Sequence, residues 1–133
     1  MYILGDVAGP WIFPALGLAA VAAVGFFFII VLIEALVLRG LKWGSFRLSF
    51  IDSLVVNLTS TAFGVLLFAF SAWMLNQGAA SLLLLSGVLS VLIEGGVLTL
   101  LKRHPLRQTW TAAVAINAAS YAFLFVLVGV LRL

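Results

Sequence analysis

Glu34 and Glu94 each stand deep in a long apolar run, and each is followed 23 positions later by an asparagine, Asn57 and Asn117. An unpaired carboxyl or carboxamide taken out of water costs kilocalories, so groups at such positions must be protonated, paired or in use. One chemistry they could support is the binding or relay of a proton or cation. Glu34 and Glu94 would then be the acids, with Asn57, Asn117 and nearby hydroxyls as neutral ligands. The other is structural: each acid hydrogen-bonds its amide and clamps two helices in register, a bond contributing about 0.6–2 kcal/mol within a membrane. The clamp is the favoured expectation.

Hydroxyls thicken each patch. Ser53, Asn57 and Thr61 recur at i, i+4 and i+8 with Ser60 alongside, Ser86, Ser90 and Glu94 repeat that spacing, and Asn117, Ser120 and Tyr121 follow. On helices these are polar stripes expected to face a helix-packed interior, because lipid offers them no partners.

The remaining candidates are weaker. Asp52 has Ala112 where a counterpart would stand and is expected to favour a helix start. Asp6 belongs to an exposed N-terminal segment. His104 is expected to face solvent from a basic loop. Asn57-Leu58-Thr59 matches a glycosylation sequon only by chance, being mid-span, and Gly5 to Gly9 and Gly95-Gly96 lack phosphate-loop spacing. No HExxH, GxSxG or paired-histidine pattern occurs, and there is no cysteine, so neither a catalytic residue nor a metal site is expected. No cofactor is expected either. A pigment would find only amide, water or carbonyl ligands, and nothing in the sequence points to a bound pigment or lipid.

These groups need elements that hold them at matching depth. Glu34 precedes Lys42 by eight residues and Asn57 follows Arg47 by ten, about 12 Å and 15 Å along their helices at 1.5 Å per residue. The same arithmetic holds for Glu94 and Asn117, so each acid can meet its amide within a helical hairpin. Apolar runs predict four spans: about Trp11 to Leu38, with Pro10 and Pro14 in its first turn, then Leu48 to Leu75, Ala79 to Leu101 and Thr109 to Leu131. Between them lie a basic connection with Gly40 and Gly44 as bending residues, a tight turn at Asn76-Gln77-Gly78, and a loop containing Pro105.

The two halves share one pattern. Residues 31–73 align with 91–133 without a gap, pairing Val31-Leu32-Ile33-Glu34 with Val91-Leu92-Ile93-Glu94, Leu41-Lys42 with Leu101-Lys102, Arg47 with Arg107, Asn57 with Asn117, Ser60 with Ser120 and Ala62-Phe63 with Ala122-Phe123. Roughly a third of the aligned positions are identical, the mark of an internal repeat. Each copy holds two spans, so both cross in the same sense and the repeats are parallel. The expected fold is all-α: a polytopic transmembrane four-helix bundle of two parallel-repeat hairpins, about 11–75 and 79–131, forming a single membrane domain over 1–133.

Composition agrees. The 133 residues are 65% apolar and 8% charged, against about a quarter charged in soluble domains. Arg39, Lys42, Arg47, Lys102, Arg103 and Arg107 fall on one side and only Arg132 on the other. The basic loops are therefore expected in the cytoplasm, with some attraction to anionic headgroups, and both termini on the non-cytoplasmic side. A prokaryotic cytoplasmic (inner) membrane is expected. Trp11 and Trp73 would anchor the outer boundary, and Trp43 and Trp110 the inner one. The first span is too long for a cleavable signal peptide, and no basic face exists for nucleic acid.

Ala15, Ala19 and Ala23 on the first span, and Ala115 with Ala119 and Ala118 with Ala122 on the fourth, offer close helix approach. Phe26-Phe27-Phe28 and the leucines at 82–85 are expected to face lipid or a partner. The expectation is a non-catalytic accessory or structural subunit packing against other membrane proteins. The alternative is a small oligomeric transporter or channel in which the Glu/Asn pairs handle ions or protons.

Overall fold

The computed structural model describes residues 5–70 and 79–131, with side-chain environments within 16–66, 85–127 and 129–130. Four helices account for all the described regular structure: α1 (Gly5–Gly40), α2 (Phe46–Phe70), α3 (Ala79–Leu100) and α4 (Leu106–Leu131). Three are long and apolar enough to cross a membrane, through Leu16–Gly40, Phe46–Leu66 and Leu106–Leu127, while α3 contributes a shorter apolar stretch, Leu85–Leu100. The expected turn at Asn76-Gln77-Gly78 and the anchor Trp73 lie outside the described residues, as do the side chains of Trp11, Ala15 and Leu82 to Leu84.

α1 starts at Gly5 and not at Trp11, so Pro10 and Pro14 fall within the helix instead of in its first turn. Gly5-Asp6-Val7-Ala8-Gly9 has no apolar run from which that earlier start could be read. The chain divides into two compact units, Met1–Ile30 and Val31–Leu133. Within the first, residues 16–25 are exposed, Ala19 and Ala23 among them, and the rings of Phe27 and Phe28 meet edge to face at 5.7 Å.

In the second unit, α1 and α3 end alike. Leu41 N–H donates to the Val37 carbonyl and Lys42 N–H to Arg39, matched by Leu101 to Val97 and Lys102 to Thr99. Trp43 N–H donates to the Leu38 carbonyl at 3.0 Å, completing a Schellman motif with Lys42 as its left-handed residue. The left-handed positions are therefore Lys42 (φ 60°) and Lys102 (φ 51°), and no described glycine has a positive φ. Gly40 is the last residue of α1, so the expectation that it bends the chain is corrected, whereas Gly44 does stand at a bend in the connection. Here the capping hydrogen bonds offset the steric cost of a side chain in the left-handed region.

The core lies near these loops. Leu38, Trp43, Val56, Leu98, Ala112, Ala113 and Ile116 are buried together, with Val37, Val97 and Leu101 packed on them. Further from the loops, Phe63, Val65, Leu66, Phe125, Val126 and Val130 are exposed, which apolar solvent would make costless.

Candidate functional site

Both glutamates are buried, each 2% exposed. Glu34 comes from α1 four residues before Leu38, and Glu94 from α3 four residues before Leu98, so each acid sits one turn above the buried core. Their amides arrive from the next helix. Asn57 Nδ2 donates to Glu34 Oε2 and also to the Ser53 carbonyl at 2.9 Å. Asn117 Nδ2 donates to Glu94 Oε2 at 2.7 Å and to the Ala113 carbonyl at 2.9 Å. In both cases one –NH2 group serves its own helix and the acid opposite, which fixes the amide's orientation.

The hydroxyls cross between these pairs. Ser120 Oγ, from α4, donates to Glu34 Oε1 at 2.6 Å. Asn117, three residues before Ser120 on the same helix, holds Glu94, so α4 serves both acids. Glu34 also has Ser53 Oγ at 3.2 Å from Oε2, whereas the corresponding position beside Glu94 is Ala113. Among the described residues Glu34 thus has three hydrogen-bond donors and Glu94 one, Asn117.

Hydrogen-bond accounting limits what the site can do. A hydroxyl has one proton to give. Ser53 Oγ can give it to Glu34 or to the Val31 carbonyl at 2.9 Å, and Ser120 Oγ to Glu34 or to the Ile116 carbonyl at 3.0 Å. With the acid ionised, the serines point at it. With the acid neutral, its own proton goes to Ser120 and both serines turn to backbone carbonyls. Every donor is satisfied either way, so the site tolerates a neutral acid without a stranded group.

The outer members of the expected stripes do not join. Thr61 is exposed, Ser90 is half-buried, and Ser86 is exposed and hydrogen-bonded to the Tyr121 hydroxyl at 3.2 Å. Helix geometry gives the reason. At about 100° per residue, a position i+8 lies about 80° off its stripe, whereas i+7 lies about 20° off. Ser60 and Ser120, seven residues after Ser53 and Ala113, stay on the buried face while Thr61 and Ser86 leave it. The spacing i, i+4, i+7 was the better signal.

At the loop end stands a second polar cluster that residue spacing did not predict. Asp52 is 1% exposed and lies well inside α2, which starts at Phe46, so it does not cap the helix. Its carboxyl accepts the indole Nε1–H of Trp43 at 2.8 Å and pairs with Arg103 Nε at 2.9 Å. His104 is half-buried, its ring 4.2 Å from that of Trp43 and its Nε2–H donating to the Trp43 carbonyl at 2.6 Å. This corrects two expectations: Trp43 is buried and not a boundary anchor, and His104 does not face solvent. The signal was asymmetry. Trp43, Gly44 and Asp52 align with Arg103, His104 and Ala112, so the non-repeating residues of both copies meet at one carboxyl.

The other loop cations, Arg39, Lys42, Arg47, Lys102 and Arg107, are exposed. Arg39 donates to the Gly44 carbonyl at 3.1 Å. Among the described residues no loop arginine reaches Glu34 or Glu94, and no group of three metal-ligating side chains forms.

No protein-family model, curated protein or solved structure matches this chain.

Proposed function

We propose that this chain is a non-catalytic integral membrane protein, an accessory or structural subunit that packs against other membrane proteins. In this reading it is a bundle of two parallel-repeat hairpins in a prokaryotic inner membrane. Its basic loops are cytoplasmic and its termini lie on the opposite side. The Glu/Asn pairs are clamps that set helix register.

The observation that carries the reading is the closure of the glutamate sites. Each carboxyl is buried and meets donors supplied by this chain itself. An ion pathway needs a ligand position that opens to water or exchanges with the cargo. A clamp needs a carboxyl held by an amide from the neighbouring helix, and both pairs have that bond. The small residues support an outward-facing role as well: Ala118 and Ala122 are exposed on α4, while Ala115 and Ala119 are half-buried. An exposed small-residue seam suits close approach of another helix.

Isolation from native membranes in mild detergent, followed by mass spectrometry, tests this. A reproducible complex with a different membrane protein is expected, and Ala118→Leu should release it without unfolding the chain. Recovery as a homo-oligomer alone would overturn the reading.

One observation favours the competing reading. Asn117 and Ser120, three residues apart on α4, hold Glu94 and Glu34, which brings the two acids to one stretch of helix, as acids sharing a proton or cation would be. An oligomer of such chains would be an ion- or proton-handling transporter, and flux lost on Glu34→Gln with the fold intact would establish it.

A further inference from the structure

A groove of about 380 Å³ opens at the loop end, lined by Leu41, Pro105, Arg107, Gln108 and Thr111. We propose that it binds the headgroup of an anionic phospholipid, with Arg107 and Gln108 on the phosphate and Leu41 and Pro105 against the glycerol and first methylenes. The proposal rests on the membrane-embedded reading but not on the subunit reading.

Three observations carry it. The volume falls within the range of small-ligand sites, which are mostly apolar with a few polar groups that fix orientation. The charge is unbalanced as well. Lys42, Arg47, Lys102 and Arg107 are exposed with no carboxylate in salt-bridge range among the described residues, and Asp52 is committed to Arg103 and Trp43. A phosphodiester is the complementary charge at a bilayer surface, and arginine binds it with a two-pronged fork of N–H donors.

The third is a contrast between the repeats. The aligned positions in the other half are Leu101, Ser45, Arg47, Leu48 and Ile51. The arginine is kept, but both polar neighbours are aliphatic. Thr111 donates to the Arg107 carbonyl at 2.8 Å, a bond its hydroxyl can exchange for a phosphate oxygen, and Gln108 brings two amide protons. Generalised attraction to a negative surface would need only the arginine. The additional donors are what distinguish a site from a charge.

That contrast supplies the test. The full-length protein is reconstituted and then titrated in detergent with phosphatidylglycerol or phosphatidylcholine, with bound lipid read by native mass spectrometry. Failure to incorporate into vesicles would count against the membrane reading, which separates that outcome from failure of the groove. The wild type is expected to prefer phosphatidylglycerol. Gln108→Leu with Thr111→Ile installs the other repeat's residues and changes no charge, yet should weaken that binding about tenfold, the worth of one charge-assisted hydrogen bond. Arg107→Gln should weaken it more than Arg47→Gln does. The proposal is overturned if the Gln108/Thr111 variant binds like wild type, if the two arginine variants are equivalent, or if millimolar inorganic phosphate displaces the lipid.

Discussion

A buried carboxyl is tolerated according to how many donors reach it, and Glu34 and Glu94 differ in that number. Glu34 keeps Ser53 and Ser120 if Asn57 is lost, whereas Glu94 loses its one hydrogen-bond donor among the described residues with Asn117. Asn57→Leu and Asn117→Leu should each destabilise the protein, by roughly 1–3 kcal/mol for a buried group left without its partner, with Asn117→Leu the costlier. Reversible unfolding in mixed detergent and SDS would measure the order, and an equal or reversed cost would contradict the donor count. The matching depth of acid and amide was legible in the sequence because it needs only the rise per residue and the distance to the loops. The reach of Ser120 to Glu34 was not, since it depends on how α4 is turned against α1, which no residue count contains.

Among the elements, α3 and α4 pack closely where the sequence shows only a glycine pair. A Cβ built on Gly95 would stand 2.5 Å from Trp110 Cζ3, too close to coexist with the indole. The aligned residues in the other half are Ala35 and Phe50, an alanine in place of the glycine and a smaller ring in place of the indole. Gly95→Ala should cost about 1–3 kcal/mol through overpacking. Adding Trp110→Phe should recover much of it, because the smaller ring leaves room for the added methyl group. A thermal-melt double-mutant cycle in detergent checks this, and strict additivity would mean that the two residues do not share the space. The helix ends show the opposite case. Apolar runs predicted that the spans end near Leu38 and Leu101, yet nothing in the sequence singled out Lys42 and Lys102 as the left-handed residues. Lys42 and Lys102 take that conformation because the capping bonds there involve only backbone, and side-chain type does not report on them.

Within Val31–Leu133, residues 31–73 and 91–133 meet at different depths: Ser120 with Glu34 further from the loops, and Arg103 with Asp52 and His104 with Trp43 at them. The first contact uses residues identical at the aligned positions, and the loop contacts use residues that are not. Asp52 is buried while Arg103 is partly exposed, so removing the arginine leaves a buried carboxylate with the Trp43 indole as its donor and no cation, whereas removing both partners leaves no buried charge. Arg103→Gln should therefore destabilise by roughly 1.5–3 kcal/mol, and Arg103→Gln with Asp52→Ala by less than the sum of the single changes.

The central claim is that the buried acids hold helices together and carry nothing. It is tested most directly by proton and monovalent-cation flux into proteoliposomes containing wild type or Glu34→Gln/Glu94→Gln. Glutamine keeps a carbonyl for each asparagine and an –NH2 for each serine, so this variant should stay helical and folded. Flux in both preparations should match that of empty vesicles. Flux through the wild type that vanishes in the folded double variant would contradict the account.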